Sequence, residues 1–259
     1  ILNIHKIWNE NVFRRYLHHN HGYNLKKNPE IYKIEKILDL ETVNEILKLN
    51  FKDKKNMNNN LFYLSIFANG LYSKRSSLYL NDFDKNSKAY LEKISLKIKP
   101  KLENLCKKKL KLGKSDFRIS LLRYEGINSN FGWHYDTEPK NCYRVLILIK
   151  KEGKIPLFCY KNHENKIVKI NLNLSDAIFL KGTQTYHMVE KSIDENSVRW
   201  VLGFQYYYGN IPQVSRSLCS ELRGKDKKFI FKFLLKNTIP YLILLQILTK
   251  LLPKIYIDF

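Results

Sequence analysis

The sequence predicts an α+β protein: a double-stranded β-helix, or jelly roll, with supporting helices in its first half. Two observations carry that expectation. Apolar residues recur at helical spacing up to about residue 110, and from Phe117 onward the pattern changes to short β-type runs at close spacing, which is how an antiparallel sandwich or barrel reads. A chain of 259 residues that is 44% hydrophobic and 13% aromatic can bury one sizeable core or two small ones. The expected organisation is an N-terminal extension over 1–33, one domain over 34–210 with its jelly-roll core at about 116–208, and an apolar, basic helical tail over 211–259.

In chain order, "IYKIEKILDLETVNEILKL" reads as a short strand running into a helix, with Asp39 placed to cap it and Val43, Ile46 and Leu47 on one face. A second helix is expected from about Asp84 to Leu110, where Leu91, Ile94, Ile98, Leu102 and Leu105 keep a helical period. Pro100 should kink or split it. After "LGKSD" come the β-type runs "FRISLLRY", "YRVLILI", "IPLFCY", "KIVKINL", "AIFL", "QTYHMV" and "RWVLGFQYYYG".

Two flanking segments stand apart. "RRYLHHNHGY" gathers His18, His19 and His21, which could bind a metal, although a solvated loop explains the cluster more simply. "KFIFKFLLKNTIPYLILLQILTKLLPKIYI" is apolar but interrupted by Lys232, Lys236, Lys250 and Lys254. Its longest uncharged stretch, Asn237 to Thr249, is shorter than the ~20 residues a spanning helix requires. The tail is expected to dock on this domain, on a partner or on a membrane surface.

The net charge is +22, from 37 lysines and nine arginines among the basic residues. Arg is the preferred residue for bidentate phosphate and base contacts, and the chain is also rich in Asn and Ile. The charge therefore reads mainly as coding bias, over a weak attraction for anionic partners that would give non-specific nucleic-acid affinity. Cys106, Cys142, Cys159 and Cys219 form no CxxC pair and no dense disulfide spacing, which argues against a disulfide scaffold and a cysteine zinc site. "ILNIHKIWNENVFRRY" lacks the apolar core of a signal peptide. That favours the cytoplasm and otherwise leaves the compartment open.

"FGWHYDTEPK" carries the chemistry. His134 and Asp136 are two apart, so on an extended strand both project to one face. That is a metal-ligand geometry lacking a third arm. Of the seven histidines, the one placed late inside a β-type run is His187, 51 residues after Asp136. Two His and a carboxylate form the facial triad of non-haem Fe(II) oxygenases, which leaves coordination positions for substrates. In a jelly roll an early and a late strand lie side by side, which accounts for the separation. Twelve residues beyond His187, Arg199 could hold a carboxylate bidentately.

Each residue also has a plainer reading. His134 could be a hydrogen-bonded strand histidine, Asp136 a turn former, His187 structural, Arg199 a salt-bridge partner and Tyr124 a core aromatic. Trp133 and Tyr135 are expected to pack on the opposite strand face.

Taken together, H-x-D, a distant His and a basic residue about ten positions on resemble the Fe(II)/2-oxoglutarate-dependent oxygenases, a cupin-like fold family, and within them the prolyl-hydroxylase type. Tyr124 in "RYEGINSNFGWHYD" is similar to that group's lead-in tyrosine near the cosubstrate. "LSDAIFLKGTQTYHMVEKS" resembles its G-D-A-x-x-F then H-x-V passage, with Ser175 where the family has Gly. The resemblance covers about Ile34 to Tyr208. It implies His134, Asp136 and His187 as iron ligands and Arg199 on the far carboxylate of 2-oxoglutarate, with Tyr124 beside the cosubstrate. It implies a dioxygenase using Fe(II), 2-oxoglutarate and O₂, with ascorbate as an accessory reductant, that releases succinate and CO₂. A protein or peptide side chain is the expected substrate. The alternatives are oxidation of a nucleic acid, for which "RWVLGFQYYYG" lacks the second arginine of family demethylases, then oxidation of a small molecule, and a jelly-roll binding module without catalysis.

Overall fold

Strands β7 (Cys142–Glu152) and β12 (Val198–Tyr208), of 11 residues each, pair antiparallel along most of their length and form the centre of the molecule. The computed structural model describes residues 29–50, 73–136 and 141–211. Around that pair a seven-stranded sheet runs in the order β1 (Ile31–Ile34), β10 (Ala177–Leu180), β7, β12, β5 (Ile119–Glu125), β3 (Ser76–Tyr79), with β4 (Leu110–Leu112) also on β12. A five-stranded sheet runs β2 (Ser73–Lys74), β6 (Asn130–His134), β11 (His187–Val189), β8 (Phe158–Lys161), β9 (Ile167–Ile170). Every pairing is antiparallel. The jelly roll expected from the sequence is present.

Period-two alternation sorts the central strands between two cores. On one face of the larger sheet, Tyr143, Val145, Ile147, Phe179, Leu202, Phe204 and Tyr206 pack against helices α1 (Leu40–Leu47) and α2 (Lys85–Cys106). Val43 and Ile46 of α1 and Leu91, Ile94, Ile98 and Leu102 of α2 supply the other half. On the opposite face, Leu122, Tyr124, Leu148, Ile178, Leu180 and Val201 meet Phe158 and Val189 of the smaller sheet. Tyr124 belongs to this second core, and Phe131 packs against it.

Both helices begin on an aspartate, as N-terminal N–H groups require a side-chain acceptor. Asp39 accepts from the Thr42 N–H at 2.6 Å and Asp84 from the Ser87 N–H at 2.9 Å. Helix α2 passes through Pro100 without a break. The hydrogen bond that Pro100 cannot donate belongs to the carbonyl of Leu96, a residue 61% exposed, so its loss falls on the solvent side.

The helix also ends earlier than the expected Leu110. Lys107 turns left-handed at φ 54°, Glu103 accepts the Leu110 N–H at 2.7 Å, and Leu110–Leu112 joins β12 instead. Strands β2 and β3 have no counterpart in the sequence reading, because "SKRSSLY" lacks an apolar alternation.

Residues 1–28 and 212–259, hence the His18, His19 and His21 cluster and nearly all of the apolar tail, lie outside the described residues. Among the described residues no helix is long and apolar enough to cross a membrane.

Ser175 has φ 72°, a left-handed conformation that glycine adopts without cost. That is the physical content of the family glycine at this point. Its hydroxyl offsets the strain by accepting the Leu38 N–H at 3.0 Å and donating to the Leu38 carbonyl, which ties the start of α1 to the sheet. Ser175→Ala keeps the strain and loses both bonds, and should cost about 1–3 kcal/mol. Ser175→Gly loses the bonds but relieves the strain, and should be the milder change by about 1 kcal/mol. Urea midpoints of the two variants give the order; an alanine variant as stable as the glycine variant contradicts it.

Candidate metal centre and anion pocket

β6 and β11 are antiparallel neighbours, and their register sets His187 opposite His134. A register shift follows, since Val189 faces Phe131 rather than Gly132. The extra residue in β6 is a bulge, and it brings Phe131 and His134 together with ring centroids 3.9 Å apart. Trp133 turns the other way and stacks on Tyr186 at 5.2 Å, and Tyr135 packs on the same ring at 4.9 Å. Both are packing residues, as their position relative to His134 implies.

Asp136 lies just past the end of β6, and its N–H donates to the Gly182 carbonyl at 3.0 Å. One oxygen, Oδ1, is 3.6 Å from His134 Nε2 and 3.9 Å from His187 Nε2. The three candidate ligand atoms lie within 4.8 Å of one another, the one such group of His, Cys, Asp or Glu among the described residues.

The donor set fits a divalent metal. His134 Nδ1 donates to the Gly132 carbonyl and His187 Nδ1 to the Thr185 carbonyl, each at 2.7 Å, when the ring proton sits on that nitrogen. This tautomer aims each Nε2 lone pair inward, which is how metal-binding imidazoles are oriented.

Charge around the group is arranged to match. Burial and the neighbouring His187 push the His134 pKa down to about 3, so the ring is neutral at pH 7. Burial opposes ionisation of Asp136, yet Arg144, His134 and His187 outweigh it and hold the carboxyl well below its usual range. Arg144 Nε lies 3.6 Å from Oδ2, the oxygen turned away from the histidines. Gly182 makes room for this placement: a Cβ there would fall 1.8 Å from Asp136 Oδ2.

Arg199 and Tyr124 stand directly opposite each other on β12 and β5. They are 3% and 2% exposed, and the guanidinium carbon is 5.1 Å from the centroid of the phenol ring. Burial works against the Arg199 charge, and Tyr124 partly supports it. Arg75, in the connection from β2 to β3, donates to the Tyr124 hydroxyl at 3.2 Å and lies 3.8 Å over the Phe131 ring. The five residues singled out in the sequence thus meet on facing strands of the inter-sheet core, linked through Phe131 and Arg75.

Sequence reasoning missed Arg75, Arg144 and Gly182. Arg144 left a signal, being the charged residue within the apolar run "YRVLILI". Arg75 in "SKRSS" and Gly182 in "KGTQ" left none, because their importance comes from contacts with segments remote in the chain.

In metal-free protein, His134 is neutral when folded and titrates near 6.5 when unfolded. A depressed folded pKa means full stability above about 6.5, with a loss of about 1.4 kcal/mol per pH unit as pH falls toward 3. Asp136 acts in the same direction below its ordinary 3.8. Urea midpoints at pH 7.5 and 5.5 should differ accordingly, and His134→Gln should flatten the difference. A wild-type profile flat across that interval would show that folded His134 is protonated.

No protein-family model matches the sequence, and no curated protein matches it. Solved structures do. The non-haem alpha-ketoglutarate-dependent epimerase SnoN from nogalamycin biosynthesis superposes with a TM-score of 0.51 at 12% identity, covering 77% of this chain and 87% of its own. The carbocyclase SnoK of the same biosynthesis gives 0.52 at 12%, covering 78% and 89%. An oxidoreductase of the 2OG-Fe(II) oxygenase family from Burkholderia pseudomallei gives 0.51 at 12%, covering 72% and 88%. At such identities the likeness is one of fold, and the chain has the double-stranded β-helix fold of the Fe(II)/2-oxoglutarate-dependent oxygenases.

Proposed function

We propose that this protein is an Fe(II)- and 2-oxoglutarate-dependent dioxygenase that hydroxylates a C–H bond on a protein or peptide side chain, with release of succinate and CO₂. Residues 34–210 form the catalytic domain. One observation carries the reading: a buried His-Asp-His group and a buried Arg–Tyr pair share the inter-sheet core of a jelly roll. A metal site alone would not require the second, and an anion site alone would not require the first.

His134, Asp136 and His187 would hold the iron. Bound there, it supplies the activation of O₂ that is coupled to oxidative decarboxylation of 2-oxoglutarate. The chain's own residues orient and shield. The Gly132 and Thr185 carbonyls fix the two imidazoles, Arg144 and Gly182 fix the carboxylate, and Arg199 anchors the far end of the cosubstrate with Tyr124 beside it. The prolyl-hydroxylase-like passages around Tyr124 and Ser175 support a peptide substrate. The +22 charge supports in addition a non-specific nucleic-acid affinity that falls steeply with salt, as counterion release requires.

Two variants separate the parts. His187→Ala removes one of three ligands and should abolish stoichiometric iron in an anaerobic titration; undiminished binding would put the metal elsewhere. Arg199→Met should keep fold and metal while weakening 2-oxoglutarate by about 30-fold or more, since losing a charge-assisted paired contact costs about 2–5 kcal/mol and each 1.4 is tenfold. Lysine there should restore part of the loss, having one compact charge in place of a planar fork. Succinate formation against peptide, nucleotide and metabolite panels tests the substrate class, and turnover with nucleotides alone would replace the peptide reading.

A further inference from the structure

Two guanidinium groups meet at one phenol. Arg199 lies beside Tyr124, and Arg75 donates Nη1–H to the same Tyr124 hydroxyl at 3.2 Å. Their charges oppose each other, Arg75 being among the groups that disfavour the Arg199 charge. The other arginines of the described sheets and helices have acids: Arg118 has Glu92 at 2.9 Å, Arg123 has Glu125 at 3.0 Å and Arg144 has Asp136 at 3.6 Å. Among the described residues, no carboxylate lies within ion-pair distance of Arg75 or Arg199.

Like charges taken out of water without an acid destabilise the folded state. Neutral phenols do not cancel them, although Tyr124 and Tyr79 support the Arg75 charge against its burial. A carboxylate does, because each of its two oxygens can accept from a different guanidinium.

The shared Tyr124 hydroxyl decides which carboxylate, although Phe131 touches both ends. Its ring has the Arg75 guanidinium 3.8 Å and the His134 ring 3.9 Å from its centre. Arg75 also feels the like charge of Arg144, and it is the bond to the hydroxyl beside Arg199 that places it at the far end of the cosubstrate.

We infer that Arg75 is a second cosubstrate-binding residue. With Arg199 it clamps the far carboxylate of 2-oxoglutarate, one guanidinium to each oxygen, and the Tyr124 hydroxyl sets their spacing. The inference rests on the proposed function and deepens it, since it makes the site selective for a dicarboxylate through a residue contributed from outside the 116–208 core.

The test is calorimetric binding to the full chain loaded with Co(II) under anaerobic conditions. The probes are 2-oxoglutarate and 2-oxopentanoate, which lacks the far carboxylate. Arg75→Gln should weaken 2-oxoglutarate by about tenfold or more and leave 2-oxopentanoate within about twofold. Arg75→Lys should fall between, having charge without the fork. Unchanged 2-oxoglutarate affinity in Arg75→Gln overturns the inference, as does an equal loss for both probes, which would place Arg75 at the metal end or in the fold.

The ligand-free variant provides a second measurement. Its Tm should stay close to wild type, since relief of the repulsion with Arg199 offsets the lost Tyr124 bond and Phe131 contact, and a collapsed Tm marks Arg75 as structural and overturns the inference. Failure of the underlying reading looks different: wild type would then bind 2-oxoglutarate no more tightly than 2-oxopentanoate, and Arg199→Met would change nothing.

Discussion

The backbone register that sets His187 opposite His134 is the constraint on which the rest of the site depends. An antiparallel pair fixes the separation of opposed residues to within a fraction of an ångström, so the two imidazoles need no loop to bring them together. The bulge after that pair then turns Phe131 inward, and the extended chain beyond β6 delivers Asp136 against Gly182. Slipping β11 by one residue would turn His187 to the opposite face and leave the carboxylate without its second histidine.

Electrostatics give the same core a polarity. Asp136 is the acid of the one His-Asp-His group among the described residues, and Arg144 occupies the oxygen that faces away from the histidines. Each histidine ring is held by a backbone carbonyl, so no further acidic side chain is required to orient it. The core is consequently cationic toward Tyr124, where Arg75 and Arg199 meet, and charge-matched at Asp136 by Arg144.

Much of this was legible in the sequence because it depends on period and spacing. His134 and Asp136 two apart, a late His187, and Arg199 on the following strand all reflect strand geometry that any jelly roll imposes. Ser175 was visible as a departure from a glycine position, though its left-handed backbone and its bonds to Leu38 were not. The edge strands β2 and β3 were hidden, since edge strands are short and need no apolar alternation, and Arg75 was hidden with them. Gly182 could not be recognised, because the reason for its missing side chain is an atom of Asp136, 46 positions earlier in the chain.

Strand β12 runs between the two cores and serves both. Trp200, Leu202, Phe204 and Tyr206 face the helices, whereas Arg199 and Val201 face the site. Leu202 and Phe204 answer to volume and tolerate exchange among apolar residues of similar size, Tyr206 and Trp200 also donate to Ser95 and Glu125, and the alternate positions answer to chemistry. Codons 202 and 204 are thus open to diversification without disturbing the face that carries Arg199, and codons 199 and 201 are where the chemistry of that face is written.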